Sequence, residues 1–156
     1  MLMEIVRANF EDAPTLTEIA LAAKRNWGYP EKWMEDWREA LTITPASMER
    51  DETWLAIQDG QPTGFYALHL ENRKLHLVHL WILPSSMGQG IGRSLFTHAT
   101  VRGQELGFRE IEIESDPNAE GFYLRMGASR IGLQIRETQG HRRELPVLIY
   151  QMNAPR

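Results

Sequence analysis

The chain has no cysteine among its 156 residues. That excludes disulfides, thiolate metal ligands and a cysteine acyl-enzyme, while leaving the compartment undecided. No apolar run approaches the roughly 18 residues of a spanning helix. The first residues, Met1 to Arg7, lack a basic segment leading into an apolar one, so no signal peptide is expected. Internal repeats and low-complexity segments are absent as well. A cytoplasmic protein with no membrane partner is the expectation. Positive charge is not in excess: 17 Lys and Arg against 21 Asp and Glu give a formal charge of −4. This argues against a nucleic-acid partner and mildly favours a cationic one. No metal site is expected either. His76 and His79 stand three apart on an extended segment, where they should point to opposite faces.

What is present reads as one domain over residues 1–156, with 42% apolar and 24% charged residues. A strand over Met3 to Ala8 precedes a helix opened by Asp12 or the following Pro14 and running to about Asn26, with Leu16, Ile19, Ala20 and Ala23 on one face. Trp27-Gly28-Tyr29-Pro30 breaks it. Glu31 to Leu41 forms a second helix with Trp33, Met34, Trp37 and Leu41 on its stripe. Thr53 to Gln58 and Gly64 to Leu70 pair across an Asp59-Gly60 hairpin turn. A further turn at Asn72-Arg73-Lys74 leads into Leu75 to Leu83, almost continuously apolar and expected to be a central strand covered on both faces. A helix from Ile91 to Leu106 stops at Gly107. Strand Ile111 to Glu114, a short helix Ala119 to Met126 and two strands near Ser129 to Ile135 and Leu145 to Met152 complete the chain. The order is neither alternating nor segregated, which implies an α/β fold with a mixed sheet and helices on both faces.

The stretch Leu80-Trp81-Ile82-Leu83-Pro84-Ser85-Ser86-Met87-Gly88-Gln89-Gly90-Ile91-Gly92-Arg93 carries the strongest chemical signal. It is a strand, a sharp exit, three glycines at alternate positions and a helix start. Glycine permits positive φ and close approach of a ligand to the backbone, and a helix N-terminus offers unpaired N–H groups and a positive dipole end. Together they form a phosphate cradle. The spacing excludes two nucleotide motifs. A P-loop needs Gly-Lys-Ser/Thr at the helix start, and Gly92-Arg93-Ser94 stands there. A dinucleotide fingerprint needs Gly-x-Gly-x-x-Gly, and the third glycine is replaced by Arg93.

The loop resembles the acyl-CoA pyrophosphate loop of the GNAT N-acetyltransferase superfamily, Arg/Gln-x-x-Gly-x-Gly/Ala. Gly90 and Gly92 match, and Met87 stands at the leading position. A second stretch, Asp116-Pro117-Asn118-Ala119-Glu120-Gly121-Phe122-Tyr123-Leu124-Arg125-Met126-Gly127, looks like the family's motif B, with Ala119, Phe122, Tyr123 and Gly127 in register. The motif's asparagine register falls on Asp116, and Asn118 either reaches the cofactor or caps the helix. The resemblance implies a mostly antiparallel sheet splayed between its fourth and fifth strands. Acetyl-CoA would lie in the gap. Its pantetheine would pair with backbone at Leu80, Trp81 and Ile82, and its pyrophosphate would rest on the amides of Gly88, Gln89, Gly90, Ile91, Gly92 and Arg93. The Arg93 side chain either neutralises phosphate or is simply solvated.

Acyl transfer to an amine needs a neutral amine, a polarised carbonyl and a protonated leaving group. Without cysteine, direct attack in a ternary complex is expected. Tyr123 is the expected acid, because a phenol is neutral and able to donate at pH 7. For the base, His79, Glu112, Glu114 and water remain open; the two glutamates share one face of their strand. Trp27 and Tyr29, in the helix break, are the expected acceptor walls, with His79 beside them, and aromatic walls suit an amine cation. The stretch His141-Arg142-Arg143, near the last turn, is a candidate for meeting a substrate carboxylate. The expected acceptor is a small-molecule or peptide amine, and a homodimer is an open expectation. A non-catalytic acyl-CoA-binding module and transfer to a non-amine acceptor stay open as alternatives.

Overall fold

The computed structural model describes residues 2–152; Met1 and residues 153–156 of the expected single domain lie outside them. Seven strands form one sheet in the order β1-β2-β3-β4-β5-β7-β6. They are β1 (Met3–Arg7), β2 (Glu52–Gln58), β3 (Gln61–Glu71), β4 (Lys74–Ile82), β5 (Glu110–Glu114), β6 (Ser129–Thr138) and β7 (His141–Gln151). All neighbours are antiparallel except β4 and β5. The helices are α1 (Ala13–Arg25), α2 (Glu31–Leu41), α3 (Pro45–Arg50), α4 (Ile91–Glu105) and α5 (Glu120–Arg125). The mixed α/β sheet expected from the sequence is the one observed.

The sheet separates two cores. On one face α1, α2 and α3 bury Leu16, Ile19, Ala20, Met34 and Met48 against Leu55 and Phe65. On the other, Leu95, Phe96 and Ala99 of α4 meet Tyr66, Leu77, Ile111, Ile113 and Leu148. The apolar spacing read from α1 corresponds to its buried stripe.

α3 has no counterpart among the elements expected from the sequence. Thr44 accepts a hydrogen bond from the Ser47 amide at 3.0 Å, and the Ser47 hydroxyl accepts one from the Thr44 amide at 2.9 Å, with Pro45 in the first turn. This cap sets the helix start, but six residues carry too little periodicity to announce it. Strands β6 and β7 run on to a tight Gln139-Gly140 turn with positive φ at both residues, longer than expected. That extension carries Arg143 back toward α1.

β4 differs from its expected course in a way that matters for function. Ala67 pairs with His79 while Leu68 pairs with Leu77, so Val78 is an extra residue in the register. Such a bulge bends a strand and resets its alternation. Leu75 and Leu77 before it and Leu80 and Ile82 after it all face the α4 core. Trp81 and Leu83 face the α1 core. His76, opposite His69, and His79, against Phe65, therefore share one face. The expectation of opposite faces fails because it assumed an unbroken pleat. Contact with β5 also ends here: Leu75 pairs with Ile111 and His76 with Glu112, and the strands then diverge. From His79 to Ile82 β4 is only half-buried rather than covered on both faces.

Candidate active site

The divergence leaves a cleft of about 460 Å³. β4 supplies Leu80, Trp81 and Ile82 to one wall, and α5 with the turn before it supplies Asn118, Ala119, Phe122 and Tyr123 to the other. The end of the cleft is the α4 N-terminus with Gly88, Gly90, Ile91, Gly92 and Arg93. Of the residues expected to hold the cofactor, Gln89 alone is not on this wall; it is exposed. Trp27 and Met87 also line the cleft, and the Asn26 amide lies 3.8 Å from the Met87 sulfur.

Two glycines explain the loop. Gly90 has φ 82°, a left-handed conformation that turns the chain into α4, whose first bond runs from the Ser94 amide to the Gly90 carbonyl. At Gly92 an added Cβ would stand 3.5 Å from the Phe122 ring, so the loop packs directly on α5. The first-turn amides of α4 have no acceptor within the helix. They open on the same cleft as Tyr123.

Tyr123 is buried against Phe96 and Phe122, at centroid distances of 5.9 and 5.3 Å. Its hydroxyl has no hydrogen-bond partner among the described residues, yet no buried side-chain polar atom lacks one, so the hydroxyl is open at the cleft wall. Burial, reinforced by the Asp116 carboxylate, pushes the phenol well above its ordinary pKa. It is a neutral donor across the physiological range.

A smaller hollow of about 60 Å³ joins His79, Glu114, Asp116 and Tyr123 beneath Trp27 and Trp81. The Trp81 indole donates to His79 Nδ1 at 3.0 Å. An imidazole accepting at Nδ1 carries its proton on Nε2. Burial lowers its pKa to about 4, against a weaker raising influence of Asp51. The ring is thus neutral at pH 7 with its acceptor nitrogen engaged. Glu112 and Glu114 do share a face, because Ile111 and Ile113 occupy the other core. Their surroundings differ. Glu112 lies 3.2 Å from His76 Nδ1 and borders a separate hollow by Arg73, Lys74 and Arg109. Glu114 reaches the small hollow but is paired with Arg136 at 2.7 Å.

The most buried charges of this region come from segments that no sequence motif connects. Lys24 Nζ stands 2.6 Å from Asp116 Oδ2, and Arg143 Nη2 is 3.6 Å from the same oxygen. All three side chains are nearly enclosed. Asp116 also accepts from the Tyr29 hydroxyl at 2.9 Å and from the amide and side chain of Asn118 at 2.8 and 3.0 Å. Arg143 donates to the Tyr29 oxygen at 2.9 Å. Tyr29 is therefore a strut between α1, β7 and α5. Burial would raise the Asp116 carboxyl, but Lys24 and the hydrogen bonds outweigh it and hold it below its ordinary pKa. Burial lowers Lys24, and Asp116 offsets this only in part. Burial and the same carboxylate push Tyr29 up to about 12. The aromatic faces are occupied too: the Lys24 ammonium lies 4.3 Å from the Trp37 centroid and 5.1 Å from Tyr29, and the Arg143 guanidinium 4.8 Å from Trp37. Lys24 and Asp116 are 92 positions apart, so no local pattern in the sequence links them.

Among the described residues no group of three potential metal ligands is found, and no helix is long and apolar enough to cross a membrane. The model of the acetyltransferase (GNAT) family matches residues 13–128. A peptidyl-lysine N-acetyltransferase, YjaB of Salmonella typhimurium, is 35% identical over 98 residues, which span 62% of this chain and 63% of that protein. The match thus covers less than two thirds of that relative's length. A GCN5-related N-acetyltransferase structure from Rhodopseudomonas palustris superposes with a TM-score of 0.82 at 20% identity, over 97% of this chain and 99% of the other. PaiA N-acetyltransferase from Thermoplasma acidophilum, solved in complex with coenzyme A, gives 0.77 at 20% identity over 97% and 99%. At such identities the structural likeness establishes the fold.

Proposed function

The chain belongs to the GNAT acetyltransferase family, and from that premise we propose that it transfers the acetyl group of acetyl-CoA to a primary amine of a small molecule or peptide. The observation that carries this reading is one continuous cleft joining the α4 N-terminus to the Tyr123 hydroxyl along the unpaired edge of β4. The residues present fit the donor substrate. First-turn amides and the positive end of the α4 dipole suit a pyrophosphate. The Leu80 to Ile82 backbone, left without a β5 partner, suits the amide groups of a pantetheine arm.

At the open end of β4 the amine attacks the thioester carbonyl directly, forming the C–N bond as the C–S bond breaks. The leaving sulfur takes the proton of the Tyr123 hydroxyl, which burial keeps protonated and which faces the cleft. His79 is poorly placed as the base, since Trp81 occupies its free nitrogen. Glu114 is tied to Arg136. The amine proton therefore passes to water, the Tyr123 phenolate regains its proton from the same solvent, and the nearby cations Lys24 and Arg143 favour the neutral amine that attacks.

Thiol release from acetyl-CoA in the presence of a panel of primary amines tests the reading. Turnover with at least one amine is expected. Failure to bind acetyl-CoA at millimolar concentration contradicts it, and tight binding without turnover on any amine marks a binding module instead.

A further inference from the structure

We propose that the acceptor carries a carboxylate beside the amine it presents, and that Arg143, backed by Lys24, recognises that carboxylate. This rests on the acetyltransferase reading and names the substrate class for its acceptor side. The cluster holds two cations against one carboxylate: Lys24 and Arg143 both lie within 4 Å of Asp116 Oδ2. Asp116 carries a single negative charge against these two cations, and its oxygens also accept from the neutral Tyr29 hydroxyl and two groups of Asn118. One positive charge is left uncompensated in a nearly enclosed site walled by aromatic rings.

Arg143 has capacity for another acceptor. Only Nη2 is engaged, with Tyr29 and Asp116. Nε and Nη1 make no hydrogen bond among the described residues, yet no buried side-chain nitrogen is without a partner, so both reach an accessible surface. Charge-assisted bonds from a guanidinium to a carboxylate are among the stronger polar contacts in proteins. The site is also unsuited to binding an amine as a cation. The faces of Tyr29 and Trp37 are already covered by Lys24 and Arg143. A second ammonium would meet net positive charge. An amino-acid-like acceptor resolves this: its carboxylate neutralises the excess, so its amine no longer enters a site of net positive charge. Asp116 borders the small hollow that also holds Tyr123, so the carboxylate anchor and the expected proton donor lie on either side of one residue.

Calorimetric titration with matched probes tests this: L-phenylalanine against phenethylamine, and L-methionine against 3-(methylthio)propylamine, each with and without saturating CoA. Each amino acid should bind about 10-fold or more tightly than its decarboxylated partner. In Arg143→Gln this preference should collapse toward unity with CoA affinity retained, and Arg143→Lys should keep part of it. The proposal is overturned if the amines bind as tightly as the amino acids, if no probe binds at about 10 mM, or if the preference survives in Arg143→Gln. The wild-type comparison needs no variant to fold. The CoA titration and thiol release report separately on the acetyltransferase reading.

Discussion

Lys24 on α1 and Asp116 at the entrance to α5 form an ion pair of 2.6 Å with both side chains nearly enclosed. It ties α1 to the segment that leads into α5, the helix that carries Tyr123. Removing one partner of a buried pair leaves the other charge uncompensated, at a cost of about 3–5 kcal/mol. The two deletions should not be equal. Asp116→Asn leaves two cations without a counter-ion and should cost roughly 3 kcal/mol. Lys24→Met leaves Arg143 to balance Asp116 and also relieves the burial of an ammonium, so about 1–2 kcal/mol is expected. Urea denaturation of both variants checks the order.

The second prediction concerns proton donation. Tyr123→Phe removes the hydroxyl but keeps the ring packed on Phe96 and Phe122. The turnover number should fall by about 10²-fold or more, with CoA affinity changed less than about 2-fold. Equal losses in both would assign the hydroxyl to cofactor binding. Steady-state kinetics with a CoA titration separates them.

His79 gives a pH dependence of stability. Its pKa falls from 6.5 to about 4 on folding because burial disfavours the charged ring. The unfolded chain therefore takes up a proton first as pH drops. Stability is full above pH 6.5 and declines between there and about pH 4, by roughly 2–3 kcal/mol. Asp51 and Arg50 are the charges acting on this ring, and Trp81 is its hydrogen-bond donor. His79→Asn should flatten the profile between pH 6.5 and 4.5. The Asp116 contribution would persist in it, since that carboxyl is lost only below its ordinary range.

How far the sequence revealed this arrangement depended on the range over which each feature acts. The stripe Leu16, Ile19, Ala20 and Ala23 and the glycines ahead of Ile91 are local signals, and the helices and loop they foretold are present. The face of His79 was not readable, because one extra residue at Val78 resets the pleat and leaves no mark in composition. The Lys24, Asp116 and Arg143 cluster is assembled from three distant segments by the closing of the sheet. Basic residues near the last turn were legible, but their meeting with Lys24 and Asp116 depends on the register of β6 and β7.

The loop prediction separates backbone from side-chain recognition. Met87→Arg restores the residue type of the family signature at an exposed position. It should change CoA affinity less than about 3-fold if the helix amides do the binding. Gly90→Val places a β-branched residue at φ 82°, a strain of about 1–2 kcal/mol, and should weaken CoA binding by about 10-fold or more. Isothermal titration of both variants compares the two effects.

The central claim, that the gap between β4 and β5 receives acetyl-CoA with its pyrophosphate on the α4 N-terminus, is tested most directly by amide chemical shifts during an acetyl-CoA titration. Saturable shifts should concentrate at Gly88 to Arg93 and Leu80 to Ile82 and reach Tyr123. Shifts concentrated instead around Arg73, Lys74 and Arg109 at the other hollow, or none at millimolar ligand, would contradict the account.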